Sequence, residues 1–379
     1  VSQSNRADVA VIGGGIVGLA FAGEAARRGR SVVLFDRTPT PQGASVRNFG
    51  MVWPIGQVPG PDYARALKSR QRWLELGEKA GLWVRPCGSL HLAREEDEDA
   101  VVREFATKAP ALGVACEYLS AAEALRRFPA LNPDGLRGVL YSPTELVVNP
   151  PAAIAQVQSY LGSLGVTLRL GTAVTAVEMP RVRTAAGEVW HADRVFVCSG
   201  ADFETLFPEM YATSGLRRCK LQMMKTGPQP DGFRIGPHLA GGLTLCHYQS
   251  FEVCETLPAL KARVAATLPD YVRYGIHVMA AQNDRGEVVI GDSHEYDEAI
   301  SPFDKTEIDE LILSYLRRLV RLPDWGIAAR WHGVYAKHPT QTFVTAEPQP
   351  ACHIISSPGG AGMTLSFGIA AEWWEEHDR

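Results

Sequence analysis

The sequence predicts an α/β fold, and three observations predict it. An apolar run at residues 8–12 leads into the turn Gly13-Gly14-Gly15-Ile16-Val17-Gly18 and then a helix-like stretch at 19–28. A second Gly-rich turn, at 358–366, stands between strand-like residues 353–356 and helix-like residues 367–374. Between these two turns, residues 194–201 form an apolar strand that ends in small residues. Strands that feed helices through short glycine turns argue for a parallel sheet covered by helices.

The first turn is the most informative. Gly13 permits the tight bend, Gly15 lets the backbone approach a pyrophosphate, and Gly18 lets the helix pack on the preceding strand. The helix start then offers unpaired N–H groups and partial positive charge to phosphates. Gly29 suits a left-handed helix stop, and residues 31–35 read as the next strand. Asp36 closes that strand at about 20 residues from the turn, where a carboxylate accepts hydrogen bonds from ribose hydroxyls. Strand, turn, helix and acid agree on a Rossmann-like dinucleotide site. An accidental Gly-rich turn explains none of the flanking features.

The fingerprint alone does not separate NAD from FAD. Further along, residues 151–164 read as a helix and 170–177 as strands that would flank an adenine, with Val174 among them. The small-residue turn at Ser199 and Gly200 lets backbone pass close to a cofactor. The terminal turn, with Gly359, Gly360, Gly362, Met363 and Thr364, would bring a second positive helix end to the same region. There it would stabilise negative charge on a reduced flavin, which favours FAD. Arg37, beside Asp36, and Ser45, in the polar segment that follows, complete the candidate cofactor contacts.

Composition narrows the class. The 379 residues suffice for two structural units, and 46% apolar with 21% charged residues is ordinary for a globular chain. No apolar run approaches the roughly 20 residues that span a bilayer, so a soluble protein is expected. A net charge of −4 leaves no overall basic surface for nucleic acid. Residues 1–7 are polar and lack the layout of a signal peptide, which points to the cytoplasm. Seven scattered cysteines without a CxxC pair argue against a disulfide framework and a zinc site, so no metal is expected. Oligomeric state is left open between monomer and homodimer.

Together these segments resemble the flavoproteins related to D-amino acid oxidase, glycine oxidase and sarcosine oxidase, over nearly the whole chain. The resemblance rests on the first turn, the segment Gly43-Ala44-Ser45-Val46-Arg47-Asn48-Phe49-Gly50, the turn at 197–201 and the terminal turn. Within that group, residues 47–57, Gly291-Asp292-Ser293-His294-Glu295-Tyr296 and residues 331–339 resemble FAD-dependent oxidoreductases of phosphonate catabolism. Those enzymes act on 2-aminoethylphosphonate or its N-methyl derivative. The resemblance implies an FAD-binding domain assembled from residues 1–84, 149–217 and 334–379. Interleaved with it would be an α+β substrate-binding domain with a mainly antiparallel sheet, from 85–148 and 218–333. The residues are compatible: 87–93, 276–281 and 287–290 alternate or run as strands, 95–106 and 305–319 read as helices, and 38–41 and 227–232 read as loops.

By the same resemblance, a hydride leaves the carbon next to nitrogen for flavin N5, and water hydrolyses the resulting imine. The protein must chiefly orient that C–H bond and bind the neutral amine. Lys337 is either the lysine near N5 that assists oxygen reduction in the sarcosine oxidase branch, or a surface lysine. Glycine and D-amino acid oxidases grip a carboxylate with an arginine at the position matching Tyr335, and glycine oxidase adds one from the terminal turn, where Gly360 stands here. Loss of both bidentate clamps leaves room for a larger tetrahedral anion.

Tyr335, Lys337, His338, Arg330 and His294 could together supply its donors. Each has a plainer alternative: a local hydrogen bond for His294, loop shaping before Pro339 for His338 and a surface ion pair for Arg330. Trp53 is expected near the flavin or in the core, with Gln57 beside the substrate, and Asn48 is favoured over Arg47 as a donor to flavin or substrate. His294, Tyr335 and Lys337 are the catalytic candidates. Gly333 stands at or near the cysteine that carries covalent flavin in sarcosine oxidases, so noncovalent FAD is expected. Oxidation of a small anionic amine, with O2 or another electron acceptor, is the leading reading. A glycine- or sarcosine-type oxidase or dehydrogenase and a non-catalytic flavin-binding component of a heteromeric oxidase are the alternatives.

Overall fold

The computed structural model describes residues 5–297, 299–356 and 358–378; the polar start at 1–4 lies outside the described residues. Strand β1 (Arg6–Ile12) enters the Gly-rich turn, helix α1 (Ile16–Arg27) follows, and β2 (Val32–Asp36) pairs with β1 in parallel. Gly29, at φ 73°, closes the helix in the left-handed conformation expected of it. The parallel array continues with Thr167–Leu170 beside β2, Val189–Val197 on the other side of β1, and Cys352–Ser356 beyond that. An antiparallel fringe, Val174–Glu178, Arg181–Thr184 and Val344–Gln349, completes a sheet of eight strands. Its strands come from widely separated parts of the chain.

Helices cover this sheet because their apolar faces find nowhere else to go. In α1, Ile16, Leu19, Ala20 and Phe21 are buried, and Phe21 meets Phe196 at 4.8 Å between ring centroids. Phe196 in turn meets Trp373 of the terminal helix, Gly362–His377, edge-on at 4.8 Å. Burial of each such ring contributes about 1.5–3 kcal/mol. That helix begins at Gly362, ahead of the apolar stretch from 367 that marks it in the sequence, so Gly362, Met363 and Thr364 form its first turn rather than the loop before it. Helix α2 (Pro61–Ala80), 20 residues long, packs against it and has no counterpart in the sequence reading.

A second sheet of nine strands is mainly antiparallel, as expected for the substrate unit. Its spine is Arg217–Pro228, which pairs antiparallel with Ile327–Lys337 along nearly its full length and with Glu287–Gly291 and Glu295–Asp297 on the other edge. The division drawn at 333/334 falls inside Ile327–Lys337, and residues 227–228, read as loop, end the spine strand. A single parallel pair, His238–Ala240 with Ser89–Ala93, joins the N-terminal strands to the rest. Helix Thr306–Leu319 buries Ile308, Ile312, Leu316 and Leu319 against this sheet, one stripe of an amphipathic helix. Among the described residues no helix is long and apolar enough to cross a membrane.

Candidate active site

A cavity of about 890 Å³ is lined by residues of both sheets. On the side of the first sheet it is built largely from backbone. Gly13 has φ 112°, and a Cβ there would lie 2.2 Å from the carbonyl oxygen of Cys198. A Cβ on Gly18 would lie 1.8 Å from the carbonyl oxygen of Gly13, so the helix can approach the turn only without a side chain. Gly15 has 2.9 Å to the Ser45 hydroxyl oxygen at the same test. These close approaches form a cradle of the shape the pyrophosphate of a dinucleotide requires.

Asp36 stands at the end of β2 with Oδ2 accepting from the Gly14 N–H at 2.7 Å and Oδ1 from the Thr38 amide and hydroxyl at 2.8 and 2.7 Å. The Ser45 hydroxyl accepts from the Ile16 amide at 2.9 Å, holding the first free N–H of α1. Arg37 lines the cavity but is ion-paired with Asp202. Val174 borders it from the antiparallel fringe, and Gly200, at φ 66°, gives the turn after Ser199 its left-handed step. The Ser199 hydroxyl is bound to the Asp202 carbonyl at 3.1 Å and to Tyr211 Oη at 3.0 Å.

The terminal turn reaches the same cavity with Gly359, Gly360, Gly362, Met363 and Thr364. Its helix starts at the cavity without a side-chain cap. Thr364 Oγ1 accepts from the Trp53 amide at 2.9 Å, and the Met363 carbonyl accepts from Trp73 Nε1 at 2.7 Å. Those two bonds lock the turn to the core. The site thus fits FAD in cradle, ribose acid and second helix end.

On the other side the cavity is built from side chains. Successive side chains of a strand point to opposite faces, so within Ile327–Lys337 the positions 331, 333, 335 and 337 share one face. Tyr335 is buried and Lys337 half-buried, and both line the cavity. A Cβ on Gly360 would lie 3.3 Å from Tyr335 Oη, and one on Gly359 would lie 3.7 Å from Lys337 Cδ, so both side chains lie against the terminal turn. Burial pushes the Tyr335 hydroxyl well above its usual range, with the neighbouring Cys219, Tyr296 and Asp292 adding to the shift. It is a donor at any ordinary pH.

Arg330 is corrected by the same parity. It lies on the opposite, exposed face, outside the cavity lining, with Nε donating to Asp309 Oδ2 at 2.9 Å. Asn48 lines the cavity, yet its amide is committed to the loop: Nδ2 donates to the Ala44 and Ser45 carbonyls and Oδ1 accepts from the Gly50 amide. The same loop bonding leaves Arg47 with Nη1 on the His332 carbonyl at 3.1 Å. His338 borders the cavity with Nδ1 accepting from the amides of Thr340 and Gln341, which shapes the turn after the strand. Gln57 and Trp53 also line it; Trp53 is 3% exposed with its indole N–H unpartnered, and Gln57 Nε2 donates to the Trp53 carbonyl. Gly333 is buried, where a Cβ would already press on Leu221 at 3.0 Å.

His294 is brought into the cavity together with residues that the sequence reading did not select. His247, His277 and His294 stack, with centroids 3.8 Å apart for His247 and His277 and 4.9 Å for His277 and His294. Asp292 Oδ1 lies 3.3 Å from His277 Nε2, but no hydrogen bond is aligned on it. Burial pushes the His294 imidazole down to about 3, with the Lys337 charge adding to the shift, and holds His247 and His277 well below their usual range. Burial likewise pushes the Asp292 carboxyl well up. The only sequence signals were polar residues inside apolar runs: His277 between Ile276 and Val278, and Asp292 directly after Glu287–Gly291.

Comparison with known proteins agrees with this geometry. Glycine oxidase of Geobacillus kaustophilus (strain HTA426) is 29% identical over 211 residues, which is 52% of this chain and 56% of that enzyme. The match thus spans only about half of that relative's length. One of the subunits of the opine oxidase of Rhizobium meliloti is 25% identical over 376 residues, 96% of this chain and 91% of that polypeptide. The crystal structure of glycine oxidase from Geobacillus kaustophilus matches with a TM-score of 0.76 at 19% identity, over 97% of this chain and 94% of that one. L-proline dehydrogenase from P. horikoshii matches with a TM-score of 0.75 at 20% identity, over 97% and 92%. These structural likenesses establish the fold. The profile of the family DAO, FAD dependent oxidoreductase, matches residues 8–373, nearly the whole of both sheets, and the chain therefore belongs to the DAO family of FAD-dependent oxidoreductases.

Proposed function

We propose that the protein oxidises an aminoalkylphosphonate, 2-aminoethylphosphonate or its N-methyl form, to phosphonoacetaldehyde and the free amine. The observation that carries this reading is the pairing of Tyr335 and Lys337 against Gly360 and Gly359, on a strand face and a turn that present no arginine. A carboxylate is best held by a planar bidentate guanidinium, whereas a tetrahedral dianion takes single donors from several directions.

When bound, FAD supplies a two-electron acceptor for the hydride that leaves the carbon next to nitrogen. In this reading the cofactor contacts are Gly13, Gly15, Gly18, Asp36, Arg37, Ser45, Val174, Ser199, Gly200 and the terminal turn, and the attachment is noncovalent. Lys337 and Tyr335 hold the anionic end of the substrate, each donating to a different phosphonate oxygen. Trp53, pinned through its amide to Thr364, forms an apolar wall that keeps water from the reacting carbon. Water then adds to the released iminium and the amine departs. The stretches 1–84, 149–217 and 334–379 serve the cofactor, with 85–148 and 218–333 serving the substrate. The free state of all seven cysteines fits a reducing cytoplasm.

A second reading has its own support. Similarity to the opine oxidase polypeptide runs the length of the chain, which favours a component that works beside a partner. One experiment separates the readings: anaerobic bleaching of the flavin by 2-aminoethylphosphonate, its N-methyl derivative, sarcosine, glycine and D-alanine in turn. Bleaching by the phosphonates supports the first. Bleaching by the carboxylates alone overturns it, and no bleaching by any amine until a partner is added selects the heteromeric reading.

A further inference from the structure

We propose that His247, His277 and His294 form a binding site for one late first-row divalent cation, zinc or a close relative, in the wall of the cavity. The three come from separate parts of the fold: the end of the short helix Gly242–His247, the segment before Met279–Gln282, and the segment after Glu287–Gly291. Their ring nitrogens can all lie within 4.8 Å of one another, and the centroids of His247 and His294 are 4.5 Å apart. A zinc–nitrogen bond of about 2.0–2.1 Å requires nitrogens roughly 3.4 Å apart, so the three ring nitrogens, within 4.8 Å of one another as they stand, would have to draw together on the ion.

Three imidazoles select the late divalent ions over magnesium or calcium, which take oxygen ligands. The fourth position would go to water or an oxyanion from the cavity.

The hydrogen bonds around the cluster point the same way. A metal-binding histidine characteristically gives its other ring N–H to a backbone carbonyl or a carboxylate, which leaves a lone pair for the ion. His294 places Nδ1 3.1 Å from the Gly275 carbonyl, so that nitrogen donates and Nε2 carries the lone pair. His277 sets Nε2 3.3 Å from Asp292 Oδ1 and leaves Nδ1 buried with no partner. His277 is 3% exposed and Asp292 5%, so both unpartnered atoms are sealed from solvent. A buried acceptor without a donor costs about 1–3 kcal/mol. A cation relieves that cost at His277 and tightens the His277–Asp292 contact behind it.

Metal uptake can be tested with the metal alone, whichever amine is the substrate. Untagged holoenzyme is treated with a chelator until its metal content is nil while its flavin spectrum stays intact, then dialysed against Zn2+ and assayed for bound metal. About one equivalent per chain is expected, as for a single site built of neutral imidazoles. Cu2+ on the same protein should give an electron paramagnetic resonance spectrum split by imidazole nitrogens, a reading that needs no variant. His277→Ala and His294→Ala should each lose the stoichiometric ion while keeping the flavin spectrum. Asp292→Asn should weaken it by about 10- to 100-fold. Absence of a stoichiometric equivalent in the wild type overturns the proposal. So does a Cu2+ spectrum without nitrogen splitting, or uptake that both alanine variants retain.

Discussion

The two sides of the cavity are made by different means. The side on the first sheet is backbone: glycines whose hydrogens are all that fits, a helix start, and one carboxylate held by amides. The side on the second sheet is side chain: three histidines, an aspartate, a tyrosine and a lysine, carried by segments far apart in sequence. Each turn of a site made of backbone is written in consecutive residues, because the turn itself is local. A site made of side chains needs only a scaffold that brings distant positions together, and it leaves no local spacing to find.

The difference makes separable demands on variants, since damage to the first side should appear as lost flavin and damage to the second as lost turnover with flavin retained. The largest effect is expected from Gly18→Ala, whose Cβ would stand 1.8 Å from the Gly13 carbonyl oxygen. Overpacking of that kind should cost about 3 kcal/mol or more, roughly a 100-fold fall in FAD affinity. Flavin content after gel filtration measures it, and wild-type occupancy would break the comparison at its strongest point.

Next is Lys337→Met. Loss of a charge-assisted hydrogen bond of about 1.5–3 kcal/mol predicts a 10- to 100-fold fall in kcat/KM for the preferred anionic amine. Flavin content should not change. If the flavin is lost instead, Lys337 belongs to the cofactor side.

Asp36→Ala removes the acceptor for the Gly14 amide and for Thr38, and about tenfold weaker FAD binding is expected, read by fluorescence titration of released flavin. The smallest effect belongs to Arg330→Ala. Its guanidinium is exposed while its partner Asp309 is buried, so its loss should show in stability rather than in turnover, and its side chain is outside the cavity. Turnover should stay within about twofold of wild type, and a larger fall would return Arg330 to the substrate site.

How far the sequence could be read follows the same division. The first turn, Gly29, Asp36 and the run of strand, turn, helix and strand around them were legible because each is a local requirement on φ, on close approach or on period. Helix α2 went unread although its ends are marked, by Gly60 and Pro61 at its start and by Gly81, left-handed at φ 66°, at its stop. Arg330 could have been set aside from sequence, because two-residue periodicity from Tyr335 and Lys337 puts it on the other face. Asn48 could not, because the amide partners that occupy it come from the fold of its own loop. His247 and His277 had no spacing to betray them. Only the packing of three separate segments makes them neighbours.

The segment from Gly43 to Gly50 touches both sides at once. Ser45 holds the amide of Ile16 at the start of α1, while Arg47 reaches across to the carbonyl of His332 on the second sheet. Bonded to both sides, it should couple them, and filling the cradle is expected to stiffen the opposite wall as well as its own. Heat resistance should therefore rise, and hydrogen exchange of amides near His332 should slow, in step with flavin content, as one linked quantity rather than two.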